Sequence, residues 1–161
     1  MTETRVDPIE RHRQYWPETY DAMLMPLVMA LHRAYEGQRK QSDAVLDRYG
    51  LTPAEFDVLA TLRRSPPPHA LTPSEVQQGL FITSGGLTKV LQQLETKGLV
   101  MRSTSEADKR SKPVHLSSAA ARLVEEVMNE LLSATRSRYK DALSDAEVRT
   151  LTELLCRLPS S

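Results

Sequence analysis

The stretch "SGGLTKVLQQLETKGLVMRSTSEADKRSKPVHLS" runs from Ser84 to Ser117, and its reading decides the fold. Its first half is helical in period. At about 100° per residue, Leu87, Val90, Leu91 and Leu94 share one side, and Gly85, Thr88, Lys89, Gln92 and Thr96 share the other. Gly98 supplies a stop. Beyond it, "LVMRSTS" and "KPVHLS" read as short strands on either side of a charged tip. A disordered linker is not usually followed by "VHLSSAAARLVEEV", which reads as a strand and then a helix capped by Ser117 or Ser118. The chain therefore builds an ordered hairpin and hangs Lys109, Arg110 and Lys112 from its tip, with Asp108 among them.

Upstream, two helices open with the same device. In "LTPAEFDVLATLRRS", Thr52 is an N-cap, Pro53 takes the first helical position and Glu55 returns a hydrogen bond to the cap. "LTPSEVQQGL" repeats this with Thr72, Pro73 and Glu75. We read this as shared capping chemistry and not as an internal repeat. "SPPPHA", from Ser65 to Ala70, is a stiff loop between them. Further out, residues 1–16 are charged and read as loose. Residues 17–49 read as helix, with Pro26 forcing a break or a second start and Gly50 a stop. Downstream, a long helix runs to about Tyr139, and Ser144 with Glu147 caps a last one. Three short helices, a two-stranded hairpin and a long helix make a winged helix-turn-helix set within a longer helical frame. The fold class is mainly α with a small β-wing. Residues 51–116 form the reading region of a single 161-residue domain, and 1–50 and 117–161 supply dimerisation helices.

Composition narrows the chemistry. Apolar residues make up 40% of the chain and aromatics 5%, so the core is mainly Leu, Val, Ala and Met. Lys plus Arg equals Asp plus Glu at 21 each, which excludes a generally basic coat and leaves local segregation as the source of any nucleic-acid face. From Ser84 to Val114 there are six cations against three acids. On the outer face of the helix, Lys89 can reach guanine, Gln92 can pair with adenine, and the Thr88 methyl can touch the thymine methyl. Gly85 and Gly86 weaken the helix start but let the backbone approach a partner closely, and Ser84 is counted with the DNA-binding residues. An isolated amphipathic helix has a polar outer face as a rule; the basic hairpin beside this one points to DNA. Arg110 can enter the minor groove, held in pose by Asp108, with Lys109 and Lys112 alongside.

"DKRSKPVHLS" resembles the wing signature of the MarR family of bacterial transcription regulators, Asp-x-Arg followed by a Val-x-Leu-Thr strand, with Ser117 in place of the Thr. "GLTKVLQQLETKGLVMR" is similar to that family's recognition helix and its exit into the wing. The resemblance extends over nearly the whole chain. It implies a homodimer that binds a palindromic operator in double-stranded DNA. "YWPETYD" and "EFDVLATLRRSPPPHALTPSEV" resemble the branch that responds to urate or related anions. That likeness implies ligand-response roles for Trp16, Asp57 and Arg102. A further arginine of that branch corresponds to Val90, which the helical wheel turns inward. The lost cation implies a weak response to urate and a preference for a less charged aromatic or phenolic effector.

The apolar steps Val148, Leu151, Leu155 and Leu158 suit a helix-to-helix seam, and Leu123, Val127 and Leu131 continue the theme. Packing within one chain is the alternative; a two-fold dimer would place two recognition helices about 34 Å apart. No run is long and apolar enough to span a bilayer, and the N-terminus lacks the apolar core of a signal peptide. One cysteine excludes an intrachain disulfide framework and fits a reducing cytoplasm. Cys156 reads as a packed thiol, an oxidant-sensing role being the alternative. His12, His32, His69 and His115 have no metal-ligand spacing. There is no phosphate loop, nucleophile elbow or paired-carboxylate motif, so no cofactor or enzyme activity is expected. The expected function is a DNA-binding regulator, a repressor relieved by a small ligand. The alternative is a winged helix used as a protein-interaction module.

Overall fold

The computed structural model describes residues 7–80, 83–102 and 113–159. The chain divides into two compact units, Met1–Gln41 and Ser42–Ser161, with the boundary inside one helix.

In the first unit, helix α1 spans Pro8–Tyr15 and a 3-10 turn covers Pro17–Thr19. The charge of residues 1–16 predicts a loose segment. The Asp7 side chain, however, accepts from the Ile9 amide, and Pro8 takes the first helical position. Helix α2 spans Leu24–Arg48. It does not run unbroken from Pro17; of the two alternatives at Pro26, a break or a second start, the second start is what forms. Pro26 falls in the first turn, where the missing N–H would have had no intrahelical partner. Asp21 accepts from the Met23 and Leu24 amides at 2.8 and 2.7 Å, and these bonds hold its carboxyl below the usual range.

In the second unit, α3 spans Pro53–Arg64, α4 Pro73–Gln78, α5 Ser84–Thr96, α6 Ser118–Tyr139 and α7 Asp145–Leu155. All three expected capping boxes form: Thr52 with Glu55, Thr72 with Glu75, and Ser144 with Glu147. Each satisfies orphan amides at a helix start, a device that contributes about 1 kcal/mol. Strands β2 (Val100–Arg102) and β3 (Val114–Leu116) pair antiparallel, with Met101 opposite His115. A third strand, β1 (Ala70–Leu71), joins the other edge of β3, giving the order β1-β3-β2. The sheet is therefore three-stranded where the sequence predicts two strands.

The core lies among α3, α5, α6 and the sheet, where Leu59, Leu62, Leu91, Leu94, Val114 and Val127 are almost wholly buried. Val127 is in this core, and Leu123 and Leu131 pack against it. Val127 therefore belongs to its own chain's interior, while Leu123 and Leu131 stay partly exposed beside it. The end of α2 is tied to α6 through Glu130, which pairs with Arg48 and accepts from the Tyr49 hydroxyl at 2.8 Å. Arg63 of α3 pairs with Glu125 of α6. Among the described residues, no helix is long and apolar enough to cross a membrane.

Candidate nucleic-acid interface

Helix α5 is positioned from both sides. Leu87, Val90, Leu91 and Leu94 are buried as the periodicity predicts, with Val90 only 7% exposed. The opposite face, Gly85, Thr88, Lys89, Gln92 and Thr96, is exposed, and Ser84 at the helix start is exposed with it. The helix start is fixed by Thr83, whose hydroxyl oxygen accepts from the Gly86 amide at 3.2 Å. The Gln77 side-chain amide of α4 reaches the Ser84 hydroxyl oxygen at 3.3 Å. Sequence reasoning singles out neither Thr83 nor Gln77. Thr83 lacks the acidic partner three residues on that marks the other caps, because Gly86 stands there. The Thr88 and Thr96 hydroxyls donate to the Ser84 and Gln92 carbonyls at 3.0 and 2.9 Å. Their donors are thus engaged, leaving methyl groups and lone pairs for a partner. Lys89 and Gln92 remain as the long polar side chains of this face, suited to base edges.

Not every cation of the segment belongs to that face. Lys97 pairs with the buried Glu55 at 2.7 Å, and the Arg102 Nε donates to Glu95 at 2.7 Å. Of the two acids, Glu95 is already in the count along the segment, and Glu55 lies outside it, so one charge of the excess is met from α3. The expected wing-tip residues Asp108, Lys109, Arg110 and Lys112 lie outside the described residues. Strands β2 and β3, which carry the tip, are where the sequence predicts them.

The three residues singled out for ligand response have separate surroundings. Trp16 belongs to the first unit, where its ring stacks on His12 with centroids 5.0 Å apart. Asp57 is exposed on α3; local desolvation still pushes its carboxyl up, against the opposing charge of Arg64. Arg102 is engaged with Glu95. A cleft of about 360 Å³ opens between α3 and α6, lined in part by Arg63, Arg64, Glu125 and Asn129, and none of the three lines it. Cys156, expected to be packed, is exposed in the single chain. Among the described residues, no group of three or more His, Cys, Asp or Glu side chains could hold a metal.

The order α3-α4-α5, the sheet behind it and the polar outer face of α5 define a winged helix-turn-helix protein. Comparison with known proteins makes the class specific. A model of the MarR family matches residues 49–111. The chain is 35% identical to the HTH-type transcriptional regulator PecS of Dickeya dadantii over 116 residues, which cover 72% of this chain and 69% of that one. Among solved structures, a cysteine-to-serine variant of MarR from E. coli, complexed with operator DNA, superposes with a TM-score of 0.70 at 29% identity, covering 87% of this chain and all of that one. Bordetella bronchiseptica BpsR, whose DNA binding is regulated by 6-hydroxynicotinic acid, superposes with a TM-score of 0.69 at 26% identity, covering 82% and 97%. The chain belongs to the MarR family of transcription regulators, which bind DNA and are not enzymes.

Proposed function

We propose that the chain is a homodimeric repressor that reads a palindromic operator with α5 and is released by a small aromatic effector. The observation that carries the reading is the division of α5, with four buried apolar side chains holding it and Ser84, Gly85, Thr88, Lys89 and Gln92 left outward. Residues 51–116 form the reading region, and 1–50 and 117–161 supply the helices that hold the partner. At the wing tip, Arg110 enters the minor groove in a pose set by Asp108, and Lys109 and Lys112 track phosphates. The apolar side of α7 and the residue just past its end support the dimer: Val148, Leu151, Leu154 and Leu155 of the helix and Leu158 beyond it are 41–52% exposed in the single chain.

Two observations support the effector. Trp16, Asp57 and Arg102 are alike in position to the responsive residues of the urate branch, and BpsR is regulated by a hydroxylated aromatic acid. Buried Val90 supplies no charge, which favours a phenolic ligand over urate. An effector acts only through its different affinities for the DNA-competent and DNA-incompetent forms.

The test is a promoter carrying a duplex selected by the purified protein. Its output should fall when the chain is expressed and recover with a phenolic compound. A rise on expression makes the protein an activator. Recovery with urate at least as complete as with any phenol removes the argument from Val90. If Trp16→Phe, Asp57→Asn and Arg102→Gln all leave recovery intact, the effector does not act through these residues.

A further inference from the structure

Lys97 and Glu55 form an ion pair for which the DNA-reading scheme has no use. Among the described residues three glutamates close capping boxes, and two of them, Glu75 and Glu147, do so from exposed positions. Glu55 performs the same capping task with its side chain 2% exposed. Its Oε2 accepts from the Thr52 amide and hydroxyl at 2.9 and 3.2 Å. That completes the cap and leaves Oε1 turned inside the fold. Lys97 Nζ meets this oxygen at 2.7 Å and also donates to the Gly50 carbonyl at 2.9 Å. Gly50 has φ +62° and makes the corner between α2 and α3. One ammonium group thus binds that corner and the first turn of α3 together.

The other end of the lysine is the C-cap of α5. Its successor Gly98 has φ +67°, the Leu99 amide returns to the Leu94 carbonyl at 2.9 Å, and β2 begins at Val100. The clamp therefore sits where α5 hands over to the wing strand. At its opposite end α5 is held by Gln77 on Ser84. A helix secured at both ends has its roll and its advance fixed. Hydrogen bonding to base edges tolerates errors of only about 0.5 Å or 10–20°.

We propose that Lys97, held by Glu55 and the Gly50 carbonyl, is a positioning residue that sets the pose of α5 in the major groove and makes no DNA contact of its own. The proposal rests on α5 being the recognition helix, and the experiment separates the two. Affinities of the full-length protein are measured for a duplex it has selected and for an unrelated duplex of equal length, across a range of salt. Lys97→Met and Lys97→Arg are compared with the parent chain.

Lys97→Met should lower the ratio of specific to nonspecific affinity about tenfold, the scale of one lost base contact, with an unchanged salt slope. Lys97→Arg should restore the ratio. A destabilised variant loses active protein on both duplexes alike, so the ratio is insensitive to stability. If both affinities fall together and the salt slope drops by about one, Lys97 is a phosphate contact and the proposal is overturned. An unchanged ratio overturns it equally. A parent chain that prefers no duplex refutes the recognition-helix reading, and the clamp's role with it, without reference to any variant.

Discussion

Helices α5 and α7 carry the same kind of apolar stripe and meet different fates. In α5 the stripe is covered by its own chain, down to 0% exposure at Leu94. In α7 every member of the stripe is open, from 41% at Leu155 to 51% at Leu154, and Leu158 just beyond the helix is 52% exposed. Periodicity states that a face needs covering and not what covers it. The core of the second unit is closed by α3, α5, α6 and the sheet without help from α7. A second copy of the chain is the cover proposed here, since a two-fold pairing would also present two copies of α5 to one duplex.

The sharpest way to separate the two helices is to change one leucine in each. Leu94→Ala should cost about 2–5 kcal/mol of stability, because it opens a cavity in a closed core. Calorimetry should show the loss in Tm at every protein concentration. Leu155→Asp should leave the monomer folded and yet reduce operator affinity roughly a hundredfold, through the cost of placing an unpaired charge in an apolar contact. Sedimentation should then find single chains where the parent chain gives pairs. A parent chain that stays single at micromolar concentration breaks the comparison, since α7 would then need no cover.

Smaller effects sharpen the account of the polar faces. Gln92→Ala should relax preference at one base pair per half-site by about 1–3 kcal/mol if its contact is bidentate. An equal loss on specific and nonspecific duplexes would make Gln92 a backbone-positioning residue instead. Arg110→Ala should lower the salt slope by about one unit for every duplex, and an unchanged slope would remove it from the interface.

The smallest effect concerns Glu55. Burial favours its neutral form, but the bonds from Lys97 and Thr52 outweigh this and hold its carboxyl below the ordinary value of 4.5. A depressed folded value stabilises the protein above the ordinary value and ceases to do so as pH falls through the folded one. Glu55→Gln should therefore flatten the decline of Tm below about pH 4.5, by roughly 2–4 °C at most. A decline identical in the variant and the parent chain would show that the pair adds nothing to acid stability.

Much of the second unit was legible because its signals are local. The three capping boxes, the stop at Gly98 and the apolar side of α5 all lie within one or two turns of the residues they organise. Strand β1 was not legible, since two residues have no period and Ala70–Leu71 become a strand only by pairing with distant His115 and Val114. Helix α1 shows the limit differently. Its Asp7–Pro8 start uses the same cap-and-proline device as Thr52–Pro53, but "PIERHRQY" lacks an apolar stripe to call attention to it. Charge counting failed at Lys97 because a tally along one segment sees only acids near in sequence, whereas the partner of Lys97 is Glu55 on α3. The Lys97 partner, Glu55, is recognisable as a cap residue, and a cap needs only one of its two oxygens.

The central claim is that two copies of α5 read two halves of one site. Selection of bound duplexes from a random pool, with the purified full-length chain, tests it most directly. The account predicts an enriched inverted repeat whose half-site centres lie about 10 base pairs apart, one turn of the helix. Recovery of a single unrepeated site, or of no enriched sequence at a salt concentration where duplex is still bound, would contradict it.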